Sequence, residues 1–219
     1  MGEDRNRERH STAVEHLPLS GEPLPLDLVN TTYIRGGLRG QFLDALVTPD
    51  DLDVWLAAHR EAFSPGLGPA LARAAPSEAA DVLAFVELRQ ALRGVTHALT
   101  SRLVPDPDHI AVVNAAARSA ARWSELGPGP SLVAVPRWLE DDPRRVARGE
   151  VATAAVALFS GESAGRIRAC EAPGCILYFV KVHARRAWCT AGCGNRVRVA
   201  RHSRRARGED GSEPKGRPG

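Results

Sequence analysis

The sequence has few cysteines and no long hydrophobic run. Only four cysteines occur in 219 residues, and all of them lie between positions 170 and 193. The N-terminal stretch is polar, without the apolar region of a secretion signal, and no later run approaches the roughly 18 apolar residues of a membrane span. We therefore expect a cytoplasmic protein with no membrane partner. Structural disulfides are rare in that compartment, so metal binding is the leading explanation for the cysteines.

Common catalytic motifs are also absent. The chain contains no Walker loop, no HExxH, no Gly-x-Ser-x-Gly and no dinucleotide-binding glycine pattern. We therefore predict that the protein is not an enzyme. An enzyme with a small-molecule pocket in its front part is a weaker alternative. Asp27, Asn30 and Arg35 are polar residues in an otherwise apolar region, where they either line such a pocket or cap helices and satisfy loop backbone.

Charge is divided unevenly along the chain. The segment 166–207 holds eleven Lys or Arg and one acid, Glu171, whereas the remainder holds 18 basic and 25 acidic residues. A basic element attached to an acidic body is typical of polyanion binding. A solubilising tail is the alternative, but the cysteines, Trp188 and the apolar run from Ile176 to Val180 favour a folded unit.

Apolar periodicity predicts four main helices in the front part of the chain. Thr48 and Pro49 start the first, because a hydroxyl cap followed by proline is typical of a helix N-terminus. The second begins near Ser77 and carries an apolar stripe to Leu103. The third runs from Asp106 until Gly127-Pro128-Gly129-Pro130 ends it, and a short strand over Ser131 to Val135 is plausible. The fourth runs from Asp142 to Gly161.

These elements define the predicted fold class. We expect a mainly α protein: a helical N-terminal domain followed by a small zinc-binding module made of a short β-hairpin and a basic helix. The expected boundaries are a disordered arm over 1–22, the helical domain over 23–163, the zinc module over 164–207 and a disordered tail over 208–219.

The cysteine spacing favours a metal centre. Four residues separate Cys170 from Cys175, thirteen separate the two pairs, and three separate Cys189 from Cys193. Two close pairs can surround a tetrahedral Zn²⁺, and four thiolates leave no open position for a substrate. Such a module folds with its metal, which supplies on the order of 10 kcal/mol. Free buried cysteines are the alternative, and His183 could replace one ligand.

Arginines follow the last cysteine in a segment able to form a helix. Its N-terminus abuts Cys193, where the helix dipole stabilises a thiolate. We predict that its exposed side follows DNA phosphates or enters a major groove, although a merely solvated helix is the alternative. Arg185, Arg186 and Arg196 are close in sequence to Cys189 and Cys193, so they could serve the metal as well. The predicted DNA-binding residues are Arg185, Arg186, Arg196, Arg198, Arg201, Arg204 and Arg205.

Two motif sets make the sequence similar to known families. Cys170-Glu-Ala-Pro-Gly-Cys175, Trp188-Cys189 and Cys193-Gly194-Asn195-Arg196 resemble the CGNR zinc finger. Upstream, Leu26-Asp27-Leu28-Val29-Asn30-Thr31 and Thr48-Pro49-Asp50-Asp51-Leu52 resemble the ABATE domain that precedes this finger. Many relatives have four residues between the last two cysteines and an acid where this chain has Lys181, a difference that bears on DNA-contact geometry.

The resemblance implies a bacterial stress-induced transcriptional regulator with one structural zinc on its four cysteines and DNA as its partner. In the leading hypothesis, the finger binds DNA and the helical domain senses a small-molecule effector or forms a homodimer. An RNA-binding or protein-interaction module with a purely structural zinc is the alternative. The sequence gives neither the operator, nor the effector, nor the direction of regulation.

Overall fold

A computed structural model describes residues 21–130 and 132–206 of the chain. It contains seven α-helices, which are α1 Leu24–Val29, α2 Pro49–Ala58, α3 Leu67–Arg73, α4 Ala79–Ser101, α5 Pro107–Ala117, α6 Pro143–Ser160 and α7 Ala191–Ala206. Three antiparallel strand pairs are β1 Thr32–Arg35 with β2 Gln41–Asp44, β3 Arg122–Gly127 with β4 Val133–Trp138, and β5 Ile167–Ala169 with β6 Tyr178–Val180. The fold is mainly α, with a small C-terminal module of one β-hairpin and one basic helix, as predicted.

Local cap chemistry sets the helix starts. The Thr48 hydroxyl accepts a hydrogen bond from the Asp51 amide, and the Asp51 carboxylate accepts one from the Thr48 amide at 2.8 Å. This reciprocal pair satisfies two amides that have no partner within the helix. The Asp142 carboxylate caps α6 in a simpler way, with proline at the first helical position. Both predicted starts are therefore confirmed.

The core lies where α4 and α6 meet the short helix α1. Every residue of α1 is buried, and Leu26, Leu28 and Val29 have no exposed surface. Gly149 on α6 permits unusually close packing, because a Cβ built there would lie 2.5 Å from the Ala120 amide nitrogen. Small residues on α6 thus bring this helix directly against the end of α5, as the alanine-rich sequence indicates.

The structure corrects two sequence predictions in this domain. The third helix does not continue to Gly127: α5 ends at Ala117, a 3₁₀ turn follows, and the next residues form β3. The second helix ends at Ser101, and Arg102 adopts a left-handed conformation. Leu103 therefore leaves the apolar stripe and is 59% exposed. α3 and β3 had no clear signal in the sequence.

The predicted arm and tail lie largely outside the described residues. Residues 1–20 and 207–219 belong to that undescribed part, as does Ser131. The end of the predicted arm is ordered, because Glu22 is buried and hydrogen-bonded to the zinc module. Among residues 21–130 and 132–206, no helix combines the length and hydropathy of a bilayer span.

Candidate metal centre

The first cysteine pair lies in the loop that connects β5 to β6. The Cys170 amide donates to the Leu177 carbonyl at 2.8 Å, and the Cys175 amide donates to the Ala172 carbonyl at 2.9 Å. Gly174 has a φ of +70°, a left-handed conformation that glycine adopts without strain. Backbone geometry therefore directs both thiols to the same side of the loop.

The second pair lies at the N-terminus of α7. Thr190 precedes the helix, and its hydroxyl accepts a hydrogen bond from the Cys193 amide at 3.2 Å. Trp188 packs over Gly194, where a built Cβ would meet the indole at 3.0 Å. The first turn of α7 thus holds Cys193 beside Cys189, where the positive end of the helix dipole stabilises a thiolate.

The four sulfur atoms lie within 4.8 Å of one another. The Sγ–Sγ distances are 3.7 Å between Cys175 and Cys189, 3.3 Å between Cys189 and Cys193, and 3.8 Å between Cys193 and Cys175. Four ligands at about 2.3 Å from a tetrahedral zinc are separated by about 3.8 Å, so the thiols fit the ion. All four cysteines are free. The cluster is a site for one structural zinc, and exposed His183 is not part of it.

The close thiols also perturb one another in the metal-free chain. Hydrogen bonds from Cys170, and then from Cys175 and Cys189, lower the pKa of the Cys193 thiol. The pKa of Cys189 is raised, chiefly by its hydrogen bond with Cys170. The pKa of Cys170 is also lowered, to about 6, chiefly by its hydrogen bond with Cys175. Zinc must displace the remaining protons, so its affinity decreases at low pH.

Two of the predicted DNA-binding arginines point into the module. Arg196 donates to the Cys193 sulfur at 3.0 Å. Arg186 donates to the carbonyls of Val180 and Cys189, each at 3.1 Å, and forms an ion pair with Glu22. Cations close to a zinc–thiolate centre offset its net negative charge. The geometry assigns both arginines to the module itself, which argues against a direct contact with DNA.

The other predicted arginines face outward where their side chains are described. Arg185, Arg198, Arg201 and Arg205 are exposed. The Arg198 guanidinium contacts the side-chain oxygen of Asn195 one turn earlier. Arg204 belongs to α7, but its side chain lies outside the described part of the chain. The four exposed arginines, Arg185, Arg198, Arg201 and Arg205, form the basic surface of the module.

Residues of the helical domain complete the core around the cysteines. Tyr33 on β1 and Ala45 after β2 belong to the same buried cluster as Leu177, Phe179 and Val197 of the zinc module. Sequence reasoning placed these residues in separate domains. The β1–β2 hairpin is therefore part of the support of the metal centre.

Three polar side chains join the two parts of the chain, and two of them, Asn30 and Glu22, are buried. Asn30 donates to the Tyr178 carbonyl at 2.9 Å and accepts from the Tyr178 amide at 3.0 Å, which satisfies both backbone groups of one β6 residue. Glu22 accepts from the Val180 amide at 2.9 Å. Arg93 on α4 donates to the Ile176 carbonyl at 3.1 Å. The ligand-bearing hairpin is thus anchored to the helical domain by direct hydrogen bonds.

The turn between β1 and β2 lies against the cysteine turn. A Cβ built on Gly174 would lie 2.3 Å from the backbone carbon of Gly37, so the two backbones are in direct contact. A Cβ built on Gly37 would lie 3.4 Å from the Cδ atom of Arg196. Arg39 in the same turn is exposed. This contact brings a basic residue of the helical domain beside the finger, which no signal in the sequence indicated.

Asp27 and Arg35, the other two polar residues that the sequence suggested for a ligand pocket, have partners within the protein. Asp27 lies 3.2 Å from the Nε2 atom of His59, which stacks on Trp55. Burial opposes protonation of His59, but the hydrogen bonds to Asp27 and to the Trp55 carbonyl outweigh it and raise the His59 pKa. Arg35 lies over the Tyr33 ring at 6.0 Å. None of these three contacts requires a ligand.

Comparison with protein families gives two matches in chain order. The model of the ABATE family, described as "Putative stress-induced transcription regulator", matches residues 22–162. The model of the CGNR zinc finger matches residues 166–206. No curated protein matches the chain.

Proposed function

Because the chain belongs to the ABATE family and carries a CGNR zinc finger, we propose that this regulatory zinc-binding protein is a bacterial cytoplasmic transcription regulator whose finger requires zinc to bind duplex DNA. The observation that carries the proposal is the exposed basic side of α7 beside the cysteine cluster. α7 contains five arginines and no acid. A polyanion is the partner that such a surface attracts.

The arginines of α7 are arranged by the helical period. At about 100° per residue, Arg198, Arg201 and Arg205 fall within about 60° of one another. By the same period, the buried residues Cys193 and Val197 lie about 110° and about 70° around the helix from the centre of this flank. The three arginines therefore form one basic flank along α7.

An exposed ridge separates this flank from the β1–β2 turn. Asn195, Val199 and His202 are exposed along the ridge. On its far side, Arg196 covers Gly37 of the turn that carries Arg39. A helix with side chains is about 10–12 Å wide and the major groove is about 12 Å wide. We place the ridge in the groove, with the basic flank and Arg39 facing the two phosphate backbones.

Zinc would stabilise the position of α7, the helix that carries this surface. It would be held by all four cysteines and would join the Cys170–Cys175 turn to the first turn of α7. Four cysteine ligands leave zinc no open coordination position. The proposal therefore gives the metal a structural role and assigns the protein no enzymatic activity.

Fluorescence anisotropy with a labelled duplex, measured over a range of salt concentrations, tests the proposal. The proposed surface carries five exposed arginines, namely Arg39, Arg185, Arg198, Arg201 and Arg205. Five phosphate contacts predict a slope of about −4.5 in log affinity against log salt. A salt-independent signal, or equal binding by zinc-free protein, would contradict the proposal. Preferential competition by structured RNA would favour an RNA-binding function instead.

Single substitutions test the two flanks separately. Arg198→Gln and Arg39→Gln should each reduce the steepness of the salt slope by about 0.9, since each removes one phosphate contact. Arg137→Gln is the matched control, because Arg137 is an exposed arginine on β4 that pairs with Glu125 away from the finger. An Arg39→Gln slope equal to that of the control would remove the β1–β2 turn from the DNA surface.

A further inference from the structure

A cavity of about 290 Å³ opens in the helical domain, away from the zinc module. The first turns of α4 form one wall, and the start of α6 together with Ser119 forms the other. Gly149 fixes this geometry, because a Cβ built on it would lie 2.9 Å from the Ser119 carbonyl carbon. The volume is close to the lower end of the range of about 300–1,000 Å³ found for small-molecule sites.

Three arginines of α6 line the cavity, and two of them are matched by acids. Arg144 donates to the Ser77 hydroxyl at 2.9 Å and lies 3.8 Å from an Asp81 oxygen. Arg145 lies 3.7 Å from both Glu140 and Asp142. Both guanidinium groups therefore have a structural explanation.

Arg148 differs from its two neighbours. Its Nε atom is buried without a hydrogen bond, and within the described part of the chain its guanidinium has no ion-pair partner. A guanidinium remains charged in proteins, and a buried donor without an acceptor is costly. Among the described residues, no carboxylate lies within ion-pair distance of Arg148, so its guanidinium is left for a group from outside the chain.

We propose that this cavity binds a small organic monocarboxylate, with Arg148 as the residue that pairs with its carboxylate. One unmatched guanidinium calls for one negative charge, and a carboxylate can accept two parallel hydrogen bonds from it. Ala80, Ala84 and Phe85 provide an apolar wall for the body of the ligand. Inorganic phosphate fits less well, since it has no apolar body and its second charge would face Asp81 and Glu140.

Isothermal titration calorimetry on the full-length zinc-loaded chain tests the site without nucleic acid, so its outcome is independent of DNA binding. Benzoate is the probe, and benzamide and inorganic phosphate are its neutral and inorganic counterparts. Benzoate should bind saturably in the millimolar range, at least about tenfold more tightly than either counterpart. Absence of saturable benzoate binding, or phosphate or benzamide binding as tightly, would overturn the proposal.

Arg148→Met and Arg118→Met form a matched pair of variants. Arg118 is an exposed arginine beside Ser119 that does not line the cavity. Arg148→Met should weaken benzoate binding at least about tenfold, and Arg118→Met should leave it unchanged. Without ligand, Arg148→Met should unfold at the same temperature as wild type or higher, because it removes an unmatched buried donor. Unchanged benzoate affinity, or a clearly lower unfolding temperature without ligand, would show that Arg148 has only a structural role.

Discussion

Replacing Asn30 with alanine tests whether the helical domain and the zinc module fold as one unit. Asn30 is 2% exposed and satisfies both backbone groups of Tyr178. Alanine removes both partners and leaves a buried amide and a buried carbonyl unpaired. Each unpaired group costs about 1–3 kcal/mol, so we expect a loss of about 3 kcal/mol. In a chain of this size that loss corresponds to a decrease in Tm of about 6–12 °C.

Two measurements on the zinc-loaded protein check this prediction: thermal unfolding followed by circular dichroism, and zinc transfer to a chelator. Zinc should be lost faster from Asn30→Ala, because Tyr178 lies on the strand between the two cysteine pairs. Asn114→Ala is the control, since Asn114 is exposed on α5 and should change stability by less than about 0.5 kcal/mol. A decrease in Tm without faster zinc loss would show that these bonds stabilise the helical domain alone and would refute the coupling.

Three further predictions concern single side chains. Cys175→Ser should reduce bound zinc below one ion per chain in elemental analysis, because the site loses one of its four thiolates; full occupancy would contradict the ligand assignment. Gly174→Ala should destabilise the protein by at least about 2 kcal/mol, since its φ is positive and its Cβ would meet backbone. Gly165→Ala is the control for urea denaturation, because a Cβ there meets nothing within 4 Å, and equal effects would exclude the backbone contact. The raised pKa of His59 stabilises the fold fully below about pH 6.5, and this contribution is lost as pH rises through the folded-state pKa. His59→Gln should therefore cost more stability at pH 5.5 than at pH 8, and the reverse order would contradict its pairing with Asp27.

Features set by local chemistry could be predicted from the sequence. The four cysteines lie close together along the chain, so their spacing alone indicates a metal site. Thr48 with Pro49, and Asp142 with Pro143, mark helix starts through interactions within one turn. The predicted second role of Arg196 also follows from local spacing, because three residues along α7 bring its guanidinium beside the Cys193 sulfur.

Features that depend on distant residues could not be predicted in this way. Residues Arg122–Gly127 contain no helix breaker before their last position, and they form a strand because they pair with Val133–Trp138. Asn30 and Tyr178 are 148 positions apart, and nothing in either local sequence identifies the other. The position of Arg39 beside the finger depends on a contact between two glycine-containing turns. Such contacts belong to the tertiary structure and leave no periodic signal.

The structure also changes what the basic charge of the C-terminal segment means. Arg186 is matched by Glu22 of the helical domain, and Arg196 by the Cys193 sulfur. The sequence therefore overstates the charge that the finger can offer to phosphates. Part of that charge holds the module to an acidic body and offsets the charge of its own thiolates. Arg198 and Arg201 of α7 are exposed, and Arg39 adds a further exposed arginine from the other domain. In the DNA-binding surface that we propose, the charge would thus come from both domains together, so the finger separated from residues 22–162 would lose Arg39 and the counter-charge of Glu22 at the same time.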